Sequence, residues 1–234
     1  VLNGYKAVGR LASKTYICLI LVPLIRIVSV ALPISNLPVI YWFVLISIPL
    51  FLSTFTTARL LSIFRFDPGI VGSSLPGQLA VGCLGVIIGW AGSLLNLDKP
   101  FLFVIESQQM WLSIPTVIIC TGFLEELIFR GIIYRTVEKE IGVKRAIVLV
   151  SALNASLYLS NLSITQFFYV FAAMLVFSVV YARQRSLIGV SLAHGLLNIT
   201  LALNSKVLLT STVTAATWTA NVFNTALIDL VGET

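Results

Sequence analysis

A few polar side chains interrupt otherwise apolar stretches: Glu125, Glu126 and Arg130 in one, His194 and Asn198 in another. A carboxylate in such a place can take a proton from water. A histidine and an amide can donate hydrogen bonds to an oxygen on which negative charge develops. Spacing supports a shared site. Glu126 and Arg130 are four apart and share a helix face, as do His194 and Asn198, whereas Glu125 is turned by about 100° from Glu126 toward a neighbouring cavity. Each pair also has a purely structural reading. An ion pair can fix helix packing, and an intramembrane His or Asn can bond helix to helix.

These residues need elements to hold them, and composition says which kind. Of 234 residues 58% are hydrophobic and only 10% charged, with a mean hydropathy of +1.02. Water-soluble domains carry about a quarter charged residues. The expectation is an all-α, polytopic membrane bundle of seven to eight transmembrane helices, forming one domain over residues 1–234. Spans read near 15–34, 39–58, 77–96, 111–134, 146–162, 165–182 and 186–204, with a weaker eighth near 207–230. Ser35-Asn36-Leu37-Pro38 marks a tight turn. Asp67-Pro68-Gly69 and Pro76-Gly77 mark loops, and residues 97–110, with Asp98-Lys99-Pro100 and Glu106, read as a second loop or a short surface helix. Glu125 then lies roughly 14 Å from the helix end near Tyr134, and His194 roughly 13 Å from Arg185, so the two polar groups sit at one depth. Charges at such depth usually face the bundle interior and mark function.

The net charge of +6 does not point to nucleic acid, because the basic residues cluster between the apolar runs. Lys6, Arg10, Lys14, Arg59, Arg65, Arg135, Lys139, Lys144, Arg145, Arg183 and Arg185 fall on one side of the layout, and only Lys99 and Lys206 on the other. The N-terminal end is therefore expected on the cytoplasmic side, or the stromal side of a plastid membrane.

Together the motifs Glu125-Glu126-x-x-x-Arg130 and His194-x-x-x-Asn198, on separate spans and in this order, resemble the CAAX-protease and bacteriocin-processing (CPBP, or ABI) family of intramembrane endopeptidases. The Pro-bearing first spans (Pro23, Pro33, Pro38, Pro49) fit as well. The resemblance implies that Glu125 activates water, that Glu126 and Arg130 support the site, and that His194 and Asn198 form the oxyanion hole. It also implies a peptide or membrane-protein substrate. One motif departs. Where the family has Phe-x-x-x-His, this chain has Asn154 and Tyr158. A tyrosine with a pKa near 10 is a poor proton acceptor at neutral pH, though it and Asn154 can contact water. Two readings follow: a peptidase, impaired or not, or a silent relative acting as scaffold or accessory subunit of a membrane complex. No cofactor is implied, and a single histidine makes a zinc site improbable on ligand count.

Several features have plainer readings. Cys18, Cys83 and Cys120 lie apart in apolar runs and read as small hydrophobes. Arg26, roughly 18 Å into the first span, is expected to pair inside the bundle. Gly82, Gly85, Gly89 and Gly92 allow a close helix contact, with a span of this chain or a partner subunit. Trp42, Trp90, Trp111 and Tyr41 read as interfacial anchors. Asn161-Leu162-Ser163 matches a glycosylation sequon in a very short loop and is taken as chance.

Overall fold

The computed structural model describes residues 13–31, 39–62, 74–95, 110–159 and 163–204. These form seven helices: α1 Ser13–Ala31, α2 Val39–Leu60, α3 Leu75–Leu94, α4 Trp111–Ile141, α5 Val143–Ser156, α6 Ile164–Gln184 and α7 Leu187–Asn204. No strand occurs among the described residues. Six of the helices, all but α5, are long and apolar enough to cross a membrane. The chain is an all-helical, multi-pass integral membrane protein.

The layout differs from the sequence reading in two places. The expected span 146–162 is realised as α5, whose 14 residues reach only about 21 Å against a hydrocarbon core of about 30 Å. Its last turn tightens, with Leu157 N–H bonded to Asn154 O and Tyr158 N–H to Ala155 O. Pro76 and Gly77 fall in the first turn of α3 instead of a loop. Proline fits there because the first N–H groups of a helix have no intrahelical partner. The eighth span near 207–230 lies outside the described residues.

Helix α4 is irregular where it matters. Pro115 withholds one N–H from the ladder, and two π-helical stretches follow, Val117–Phe123 and Leu127–Tyr134, separated by one α-helical turn, Leu124–Glu126. Hydroxyls cover carbonyls along the way: Thr116 Oγ1 donates to Leu112 O at 2.8 Å and Thr121 Oγ1 to Val117 O at 2.7 Å. Such bulges widen a helix and swing side chains round its axis. The helix stops at Gly142, whose φ of +83° suits glycine and turns the chain straight into α5.

Helix α7 lies against both α3 and α4. A Cβ on Gly85 would collide with the backbone of Ala193, and one on Gly89 would sit 2.7 Å from Leu197 O. On the other side, a Cβ on Gly122 would lie 2.7 Å from Ser191 O and 2.8 Å from Gly195 N. The α3 glycines thus face spans of the same chain: Gly82, Gly85 and Gly89 meet α7, and Gly92 meets Tyr169 of α6 and Leu201 of α7. Helices α5 and α6 pair closely through Ser151, Ala155, Met174 and Phe177, all buried. The α6–α7 corner is fastened to the end of α4 by Arg185, whose two terminal nitrogens meet Glu138 at 2.5 and 2.6 Å. That bidentate grip holds Arg185 in the left-handed region, at φ +53°. Cys18 is buried, but Cys83 is exposed and Cys120 intermediate, so only the first is a buried hydrophobe.

Candidate active site

The two distant motifs meet. Glu126, fully buried on the α-helical turn of α4, receives Arg130 Nη1 at 2.9 Å and lies 2.8 Å from His194 Nδ1 through the same oxygen, Oε1. The expected Glu126–Arg130 pair is therefore present, and His194 joins it. Arg130 is also fully buried, and its Nη2 reaches across to α6, 2.8 Å from Met174 O and 3.3 Å from Ser178 Oγ. Ser178 Oγ in turn lies 3.0 Å from Ser151 Oγ of α5. One guanidinium thus ties α4 to α6 and, through a hydroxyl pair, to α5. Burying the ion pair is made tolerable by the partners that Glu126 Oε1 and both terminal nitrogens of Arg130 find.

Glu125 points elsewhere, as its 100° offset demands. Its side chain is 20% exposed, and Oε2 lies 3.9 Å from His194 Nε2. It lines a cavity of about 70 Å³ between α1, α2 and α4, together with Ile25, Trp42, Ile46, Leu50 and Thr121. The cavity has room for water or one small group beside the carboxylate. His194 is 1% exposed and sits 6.0 Å, centre to centre, from the buried ring of Phe177. Its two ring nitrogens address the two adjacent glutamates. With Nδ1 donating to Glu126, donation from Nε2 as well requires the imidazolium, whereas the neutral ring presents a lone pair there.

Asn198 is buried one turn further along α7, and its Nδ2 donates to Thr121 Oγ1 at 3.0 Å. Thr121 escaped the sequence reading. The available signal was a hydroxyl residue four positions before Glu125, and the π-helical widening decides its direction. Ser178 and the carbonyl of Met174, which hold Arg130, were missed as well.

Asn154 and Tyr158 lie on the face of α5 that carries Ser151. Asn154 is fully buried, and neither amide atom has a hydrogen-bond partner among the described residues. Tyr158 sits in the turn after α5, in the neighbourhood of Glu125 and Glu126. Glu125 Oε2, Glu126 Oε2, Arg130 Nε and Asn198 Oδ1 are further buried atoms without a hydrogen bond among the described residues. Orphaned polar atoms normally cost about 1–3 kcal/mol each, so several around one pair of carboxylates mark a place built to engage something polar. Among the described residues, no three His, Cys, Asp or Glu side chains gather as a metal site would need. Arg26 does not meet the expectation of inward pairing. It is exposed and lines a separate cavity between α1 and the end of α5.

A carboxylate pair, a histidine and an amide thus meet in the interior of the membrane bundle. Residues 107–200, from just before α4 through His194 and Asn198, match the family model described as "Type II CAAX prenyl endopeptidase Rce1-like". Over that region the chain is similar to the CPBP, or CAAX-protease-like, membrane endopeptidases that its motifs resemble. Neither the curated proteins nor the solved structures gave a match.

Proposed function

We propose that this chain is a membrane-embedded endopeptidase in which Glu125 activates water. The observation that carries the reading is His194, which bonds Glu126 at 2.8 Å through Nδ1 and faces Glu125 at 3.9 Å through Nε2. A catalytic carboxylate needs a neighbour within reach of the same water or substrate oxygen, and a second group that holds this neighbour in place. Glu126, anchored by Arg130, holds; His194 reaches.

In the reaction, Glu125 takes a proton from water as the water oxygen bonds to the peptide carbonyl carbon. The carbonyl oxygen gains the electron pair, and His194 and Asn198 donate hydrogen bonds to it. When the intermediate collapses the C–N bond breaks, and the leaving amine takes the proton from Glu125. The substrate is a peptide or membrane-protein segment presented from the lipid. The whole of residues 1–234 forms one membrane domain in this reading, with its N-terminal end on the cytoplasmic or stromal face.

A second reading rests on Tyr158. It stands where the family's histidine assists the base, so the chain can be a silent relative that serves a membrane complex. Purified protein in lipid, offered a prenylated C-terminal peptide, separates the two. Cleavage that disappears in Glu125→Ala supports the peptidase. Equal cleavage by both proteins refutes it, and so does none by either. Activity gained only on Tyr158→His identifies a decayed site, and a stoichiometric partner in gently solubilised membranes supports the second reading.

A further inference from the structure

A hydrolytic site inside a membrane needs a route for water, and α1 separates Glu125 from a candidate. Ile25 faces the Glu125 cavity. Its neighbour Arg26 lines a second cavity, of about 390 Å³, with Val22, Pro23, Ile27, Ser156 and Leu157. This cavity exists because α5 is short. Ser156 is its last residue, reached at about 21 Å, so the wall ends inside the apolar thickness. Arg26 is 13 residues from one end of α1 and five from the other, or about 20 and 8 Å. An arginine at such a depth draws water and headgroups toward itself.

The next residue beyond Leu157 of the cavity wall is Tyr158, which lies in the neighbourhood of Glu125 and Glu126. One turn back, Asn154 is buried with both amide atoms lacking a hydrogen-bond partner among the described residues. Arg26, Ser156, Tyr158 and Asn154 therefore mark a polar track through an otherwise apolar wall, ending at the carboxylate. We propose that the cavity at Arg26 is a hydrated vestibule that delivers water to Glu125 past the turn at Leu157 and Tyr158. Its role as a water supply rests on the peptidase reading, but its hydration does not.

Arginine snorkelling alone predicts something different. If Arg26 merely extended to the headgroups, Ser156 would remain in hydrocarbon, as Val148, 51% exposed on the same helix, does. Thiol accessibility distinguishes the two, because methanethiosulfonates react with the thiolate and ionisation requires water. Cys18, Cys83 and Cys120 are replaced by alanine, and Ser156→Cys and Val148→Cys are made separately in the full chain in liposomes. Ser156→Cys should react with a charged methanethiosulfonate at least roughly tenfold faster than Val148→Cys. Adding Arg26→Met should remove most of that advantage, and Arg26→Lys should retain it. Equal rates at the two positions overturn the vestibule, and so does an advantage that Arg26→Met leaves intact. Neither result bears on peptide cleavage, so a hydrated vestibule in an inactive protein would instead count against the peptidase reading.

Discussion

Gly122→Ala tests whether close approach of α4 and α7 assembles the site. The new methyl carbon would lie 2.7 Å from Ser191 O and 2.8 Å from Gly195 N, whereas ordinary contact begins at 3.4 Å. Both neighbours are backbone atoms and cannot rotate away, so the helices must part by about 0.7 Å. Glu126–His194, now 2.8 Å, and Thr121–Asn198, now 3.0 Å, then stretch to about 3.5 and 3.7 Å, beyond good hydrogen bonds. Overpacking costs about 1–3 kcal/mol. The two weakened bonds add about 1–3 kcal/mol together, and alanine's better helix propensity returns about 1 kcal/mol. The net loss is about 1–5 kcal/mol.

Gly131→Ala is the control on the same helix. Its Cβ would meet only the end of the Leu127 side chain at 3.1 Å and Leu187 at 3.8 Å, and a leucine tip can move. That variant should be neutral or slightly more stable. Unfolding in mixed micelles titrated with sodium dodecyl sulfate, followed by tryptophan fluorescence, measures both. Equal midpoints for the two variants would refute the close-approach argument. If the peptidase reading holds, Gly122→Ala should also lose most cleavage while Gly131→Ala keeps it.

Removing the guanidinium in Arg130→Met leaves Glu126 buried without its cation and should cost about 3–5 kcal/mol, with Glu126→Gln/Arg130→Met recovering part of it. The same micelle titration reads this, and a double variant no more stable than Arg130→Met would contradict the pairing. Thr121→Val removes the acceptor for Asn198 and leaves a buried amide unpartnered, at a cost of about 1–3 kcal/mol. Thr121→Ser should restore most of it, and indistinguishable Val and Ser variants would show that the bond contributes nothing.

The sequence carried the helical class and the place of the site well, because both depend on regular quantities. Apolar runs give span positions, four-residue spacing gives the Glu126–Arg130 face, and matched depth brought His194 to the glutamates. Other features depend on quantities that spacing does not encode. Hydropathy stays high past Ser156, so it could not show that α5 tightens and stops. Depth without azimuth placed Arg26 inside the bundle, but Pro23 and the turn at Ile20 change the phase of α1 and turn Arg26 outward. The π-helical stretches shift Thr121 relative to a regular helix, which is why its bond to Asn198 was not foreseen. Asn154 and Tyr158 were noticed only against the family pattern.

The position of α7 has a consequence for how the protein is made. It is synthesised after α3 and α4, yet it packs against both, with glycine contacts that allow almost no clearance. Those two helices cannot close on each other during translation, since any tight packing between them would have to be undone when α7 arrives. Lipid must occupy the slot meanwhile and leave as the last glycine contacts form. His194 and Asn198 come with α7, so Glu126 and Arg130, tied to Met174 O and Ser178 of α6, wait in the membrane without them until this late step. Biogenesis thus withholds the assembled polar centre until the bundle is otherwise finished.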